Sequence, residues 1–285
     1  MAVNFRNGTL SYTSTSLTLT GYAALALLLA CITQLGQLDS RLFIAMNHFA
    51  GEYASDEALE AATMFGQGLW LMALISPLLL VAPRVNAAAL YAAPLLLVFT
   101  HVPKLLFHWP RPSTALAQHG AHILGAPISM NTFPSGHAIV AVMTGTVVIL
   151  GWDFIRQRTW MQLPVLAVVT LIGWSRVAVG AHWPVDVLVG AALGIIAGYA
   201  GNALAERYYS NSVRARLTVT AIYALCAIVL AAVPTHHVLQ DRLRDILAAI
   251  GIISAIWVLL RLQTVKRARP AADAGRESLD REAAT

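Results

Sequence analysis

Three short segments of the chain bring together residue types that bind and turn over a tetrahedral oxyanion. The first, KLLFHWPRP, spaces Lys104 and Arg111 seven apart. If the backbone stays helical, both cations share one face before Pro110 and Pro112 end the helix. The second, FPSGH, sets Pro134, Ser135 and Gly136 at a helix start, with Ser135 as the cap. Free amides and the positive end of the helix dipole favour an anion there, and Gly136 lets it approach the backbone closely. His137, one step further, exchanges a proton near neutral pH. The third, SRVAVGAHWPVD, supplies the planar guanidinium of Arg176, then His182, then Asp186 in the first turn of a helix opened by Pro184. A carboxylate on one ring nitrogen of His182 sets the tautomer and leaves the other nitrogen as a nucleophile or base.

Each segment alone has a plainer explanation: two long side chains snorkelling at an interface, a helix cap, a structural His–Asp pair closing a helix start. Together they ask for one account. Cations and amides hold a tetrahedral oxyanion and its transition state, while two histidines divide the roles of nucleophile and general acid. The expected chemistry is phosphoryl transfer through a phosphohistidine intermediate.

Long apolar elements must position these segments. The 285-residue chain is 58% hydrophobic and only 12% charged, about half the charged fraction usual in soluble domains. This excludes an ordinary cytosolic enzyme, a disordered chain and a disulfide-stapled scaffold. With about 20 apolar residues needed per crossing, eight helices are expected, over 16–36, 66–83, 86–104, 136–152, 161–176, 184–204, 216–234 and 244–262. The fold class is all-α: a polytopic membrane helical bundle with a six-span core over 16–204 and two additional C-terminal transmembrane helices over 205–262. Residues 1–15 form a short N-terminus and 263–285 a polar, disordered tail whose basic start lies near anionic headgroups. The first apolar run lacks an A-x-A exit and reads as a retained helix, not a cleaved signal peptide. Residues 37–65 read as short amphipathic helices on the outer interface. Residues 105–133, with prolines at 110, 112 and 127, form the longest irregular connection.

The basic residues orient the bundle. Placing both termini in the cytoplasm leaves only Arg41, Lys104, Arg111, Arg176, Arg242 and Arg244 outside, of 19 Lys and Arg. The net charge of +5 therefore reflects topology, and no nucleic-acid partner is expected because the cations form no stripe. Cys31 and Cys226 read as small buried side chains without a disulfide framework.

Lys104-x6-Arg111-Pro112, Pro134-Ser135-Gly136-His137 and Ser175-Arg176-x5-His182-x3-Asp186 together resemble the three-part signature of the type-2 phosphatidic acid phosphatase superfamily, which also includes vanadium haloperoxidases. The likeness holds in residue type, order and spacing and covers roughly 37–204. It implies that His182 is the nucleophile, oriented by Asp186, and that His137 is the general acid. It implies a phosphate cradle of Lys104, Arg111, Arg176, Ser135 and the Gly136 amide, with no metal and no other cofactor. It further implies a lipid phosphate of the undecaprenyl diphosphate or phosphatidylglycerophosphate type, hydrolysed at the outer face of a bacterial-type inner membrane. A lipid A phosphatase or a lipid phosphotransferase is the near alternative. A vanadate peroxidase would share the cradle, but its relatives are usually soluble. A transporter of anions or lipids belongs to a different class; it needs cations but no acid-backed nucleophile.

Other motifs receive simpler readings. Gly190, Gly194 and Gly198 form a small-x3-small ridge for close packing, with a homodimer face as the other use. Gly66 and Gly68 are helix-packing positions, since no strand precedes them as a nucleotide loop requires. His236 and His237 lie in a surface loop, and His101, His108, His119 and His122 lie near the site without an assigned role.

Overall fold

The computed structural model describes the backbone of residues 5–116, 120–125, 131–235 and 237–282, with side chains over 17–264 in those ranges except residue 36. His119, His236, residues 126–130 of the long connection, and the side chains of Arg6 and of the basic cluster from Lys266 onward lie outside the described residues. Regular structure among the described residues is helical throughout.

Helix α1 (Phe5–Thr33) bends through 103° into α2 (Leu38–Tyr53). Buried Phe43, Asn47 and Ala50 line one face of α2, the expected amphipathic pattern. Helix α3 (Asp56–Met64), capped by the Ser55 hydroxyl, bends through 75° into α4 (Gly68–Ile75). The single span expected over 66–83 is thereby corrected. Pro77 has no N–H to continue the hydrogen-bond ladder, so a one-turn α5 (Leu78–Val81) follows separately, and Pro83 opens a new helix, α6 (Pro83–Leu106).

A single turn, α7 (Pro112–Ala115), interrupts the long connection before α8 (Gly136–Gly151). Then come the short α9 (Asp153–Arg156), α10 (Thr159–Ala178), α11 (Pro184–Tyr208), α12 (Val213–Ala232) and α13 (Val238–Glu282). The tail, expected to be disordered, instead continues α13 to Glu282; its Ala and Arg content favours helix. Helices α6, α10, α11, α12 and α13 as far as Thr264 are long and apolar enough to cross a membrane, and counting each bent pair as one span gives seven. Helix α8, the expected fourth span, is apolar but has 16 residues.

Large apolar side chains cover the outside of the bundle, among them Leu97, Leu171, Ile228, Ile253 and Trp257. Water would reject a surface of this kind, whereas lipid chains match it. The chain is an integral membrane protein. The same reasoning corrects the cysteines: Cys31 is exposed on α1 and Cys226 only half-buried on α12, because in a bilayer a small apolar side chain needs no core.

Helix α11 is the centre of the fold and packs on α8, α6 and α1. A Cβ on Gly190 would lie 2.8 Å from the Ser135 carbonyl oxygen, and one on Gly194 only 2.6 Å from that of Ile139. A Cβ on Gly198 would lie 2.5 Å from the Thr146 side chain. Only glycine permits backbones so close. The ridge is therefore filled by α8 of the same chain and does not present the homodimer face that its sequence left open. Helices α12 and α13 pack on each other and on α4 around Trp70, Leu230, Leu247 and Ala248.

Candidate active site

The ridge that joins α8 to α11 also sets their first turns side by side. Ser135 caps α8, accepting from the Ala138 N–H, while its own N–H donates to the Asp186 carbonyl at 3.0 Å. One hydrogen bond thus couples the second chemical segment to the third. His137 rests on Gly66, where a Cβ would come within 2.6 Å of the imidazole. Gly136 is needed for packing as well as for anion approach, since a Cβ there would stand 2.9 Å from Thr100 on α6.

The third segment folds back on itself. Gly180, at φ +76°, turns the chain after α10, and the N–H groups of Ala181 and His182 both donate to the Arg176 carbonyl at 3.1 Å. Asp186 occupies the third position of α11, where its Oδ2 accepts from the N–H of Trp183 at 3.0 Å. The same oxygen lies 3.3 Å from His182 Nδ1 and accepts a short hydrogen bond from the Thr132 hydroxyl. The carboxylate is fully buried, held from three directions, and its reach to the imidazole is the one expected from the spacing.

The first segment departs from its expected path. Helix α6 ends at Leu106, and the backbone from Phe107 to Arg111 is extended, not helical. Residues preceding proline avoid the helical region, so Pro110 and Pro112 straighten the approach. Lys104 and Arg111 therefore do not share a helix face. Arg111 reaches the site across the fold, donating from Nη1 to the Ala181 carbonyl at 3.0 Å, while the Trp183 indole N–H donates to the Pro110 carbonyl at 3.0 Å. Buried Arg176 hydrogen-bonds the Thr63 hydroxyl of α3.

A cavity of about 240 Å³ opens on this arrangement, lined by Arg111, His137 and Arg176 together with Glu60, Thr63 and Gln240. Lys104, Ser135, Gly136, His182 and Asp186 do not line it; His182 is 2% exposed and Ser135 0%. Burial first, then the positive charges of Arg176, Arg111 and Lys104, hold the His182 ring well below its usual 6.5. A neutral imidazole whose Nδ1 faces a carboxylate can present its other nitrogen to an electrophile. Burial likewise lowers Arg111, although a guanidinium stays charged throughout the working pH range. Guanidinium groups of this kind can hold an oxyanion.

Several other residues now have places. His122 pairs with Asp56 at 3.0 Å, and its backbone is clasped by Asn47, which also holds the Ala178 carbonyl. His237 pairs with Glu60 at 2.6 Å. His101 and His108 are exposed. Among the described residues, no group of three or more His, Cys, Asp or Glu is placed to hold a metal. Thr132, Thr63 and Asn47 escaped sequence reasoning because single polar residues carry no periodic or motif signal; only the position of Thr132, three before Ser135, could have drawn attention.

Parts of the chain are similar to known proteins. An undecaprenyl-diphosphatase of Sulfolobus acidocaldarius is 41% identical over 63 residues, 22% of this chain and 28% of that protein. The Bacillus subtilis undecaprenyl-diphosphatase BcrC is 34% identical over 103 residues, 36% of this chain and 49% of its own. A lipid A 1-phosphatase of Porphyromonas gingivalis is 35% identical over 71 residues, 25% of this chain and 16% of its own. The chain thus spans less than half the length of these relatives. Residues 85–207, from α6 to the end of α11, match the PAP2 superfamily, and that stretch contains all eight residues singled out by the three segments. Over that stretch, the chain is similar to the PAP2 superfamily.

Proposed function

We propose that this protein is a lipid phosphatase of the membrane, working through His182. The single observation that carries the reading is the anchoring of Asp186. Its Oδ2 faces His182 Nδ1 at 3.3 Å while Thr132 and Trp183 hold it still. The imidazole is then oriented with its remaining nitrogen available to attack phosphorus. As the nitrogen–phosphorus bond forms, the phosphorus–oxygen bond to the lipid breaks and His137 gives its proton to the leaving oxygen. Water then attacks the phosphohistidine, His137 takes back a proton, and phosphate leaves with His182 restored. Lys104, Arg111, Arg176, Ser135 and the Gly136 amide cradle the phosphoryl oxygens and oppose the charge that grows on them.

The positive-inside bias supports a site on the outer face of a bacterial-type inner membrane, with both termini cytoplasmic. The names of the relatives support undecaprenyl diphosphate as a substrate, with lipid A phosphates beside it; phosphatidylglycerophosphate rests on the motif resemblance alone. The test is phosphate release from a panel of lipid phosphates by the purified protein in detergent with EDTA present. Wild type releases phosphate from at least one lipid, and His182→Ala from none. An inactive wild type, or a His182→Ala variant with full activity, overturns the reading.

A further inference from the structure

A second cavity, of about 590 Å³, lies among α6, α11 and α12 at the other end of the bundle from the catalytic pair. Helix α11 starts at Pro184 beside that pair and runs 25 residues to Tyr208, about 37 Å along its axis. The phosphatase chemistry makes no use of this far end. The lining of the cavity divides along the helices. Tyr208, Tyr209 and Arg214 stand where α11 ends and α12 begins, and Arg207 joins them by donating from Nε to the Tyr208 hydroxyl at 3.1 Å. Val219 and Ile222 lie one to two turns deeper into α12, with Leu90 of α6 beside them, and Ile222 is exposed on the outside of the bundle. Tyrosine at one end and aliphatic residues further in are the arrangement of a membrane interface.

The polar end is incomplete by itself. The Tyr209 hydroxyl is enclosed and has no hydrogen-bond partner among the described residues. A polar group shut away without a partner is costly, and a phosphate oxygen would accept from it. Arg216 is near enough for its charge to act on that hydroxyl, and its own Nε is also enclosed and unpartnered. Arg214 makes no ion pair among the described residues, and no Asp or Glu lines the cavity. The matching occupant carries an anionic hydrogen-bond acceptor and, next to it, an apolar chain. A head group that also bears an ammonium finds no carboxylate here, and a free phosphate leaves the aliphatic part bare. Basic pockets between membrane helices suit anionic head groups. We propose that this cavity binds an anionic membrane phospholipid, its phosphodiester on Arg214 and the Tyr209 hydroxyl and an acyl chain over Leu90, Val219 and Ile222. Helix α12 lies beyond the stretch that matches the superfamily, so the lipid joins an added helix to α6 and α11.

The test is thermal unfolding of the purified full chain in one detergent, with dioleoyl phosphatidylglycerol, dioleoyl phosphatidylcholine or glycerol 3-phosphate added. Phosphatidylglycerol is expected to raise Tm by about 5 °C at saturation, and the other two by less than about 1 °C. Arg214→Gln is expected to raise the phosphatidylglycerol concentration needed about tenfold, and Tyr209→Phe about threefold. His182→Ala keeps the full shift, because the catalytic cavity is not where this lipid sits. An equal shift with phosphatidylcholine reports general solvation by lipid and overturns the proposal. An equal shift with glycerol 3-phosphate makes the ligand a free phosphate and overturns it too. So does a folded Arg214→Gln variant with the wild-type dose dependence, or loss of the shift in His182→Ala. Should Arg214→Gln fail to fold, Tyr209→Phe, which keeps the ring, and the wild-type comparison still decide.

Discussion

Helices α8 and α11 meet differently from the way helices α12 and α13 meet α4. Where α11 passes α8, Gly190 and Gly194 bring backbone against backbone, with carbonyl oxygens of Ser135 and Ile139 at the point where a Cβ would sit. The α12–α13 pair reaches α4 through the side chains of Leu230, Leu247 and Trp70. Contacts between backbones leave little room for sliding, since neither side has a rotamer to adjust. Side-chain packing tolerates small shifts through repacking. The first interface therefore suits groups that must be placed to a fraction of an ångström, and the His182–Asp186 pair lies at its end. The second suits a cavity wall, where Gln240 and Glu60 need only be near.

The largest effect expected from breaking this contrast is chemical. Asp186→Asn keeps the shape but loses the charge that orients His182, so kcat for phosphate release should fall by about a thousandfold or more, with the helical circular dichroism unchanged. A fall of less than tenfold would remove Asp186 from its proposed role.

Next in size is the ridge itself. Gly194→Ala forces a methyl into a backbone oxygen 2.6 Å away, whereas Gly68, on α4 in the second region, has nothing within 4 Å of its Cβ position. The first should cost about 1–3 kcal/mol and depress activity with stability, and the second should be close to neutral. Thermal unfolding of both variants in the same detergent decides it. Equal losses would erase the distinction between the two regions.

Smaller is the effect of Thr132→Val, which removes the hydroxyl from Asp186 while keeping the shape. We expect kcat to drop about tenfold with KM unchanged, and Thr132→Ser to restore most of it. A change in KM alone would make Thr132 part of substrate binding.

The smallest effect is on pH dependence. Since burial and neighbouring cations hold His182 below 6.5, the unfolded chain takes up a proton near that pH and the folded one only lower. The unfolded state binds more protons in that window, so this group's contribution to stability is complete above 6.5 and declines as the pH falls through it. The acid limb of kcat/KM should likewise lie below 6.5. An acid limb above 6.5 that persists in a His137→Gln control would contradict the neutral nucleophile.

How much of this was legible beforehand differs residue by residue. Lys104, Arg111, Arg176 and Asp186 stood out because each is an ion at the end of an apolar run, where a charge is costly unless it is used. Ser135 as a cap and Asp186 in a first turn follow from rules that span three or four residues, and both hold. The break at Pro77 and the extended path before Arg111 follow from equally local rules, yet the long apolar run over 66–83 and the even spacing from Lys104 to Arg111 outweighed them in the reading. Thr132, Thr63 and Asn47 were invisible because their partners lie 54, 113 and as many as 131 residues away.

The sequence by itself determined that the chain is an all-helical membrane protein and which residue types its chemistry uses. Apolar runs, caps and prolines act within a turn or two of helix, so their consequences are written locally. Only the tertiary structure decided that the starts of α8 and α11 meet, that Arg111 crosses to Ala181, and that α13 supplies a wall to the cavity. Those outcomes depend on which apolar faces bury one another and on glycines close enough to let backbones touch, and such long-range packing leaves no periodic trace along the chain.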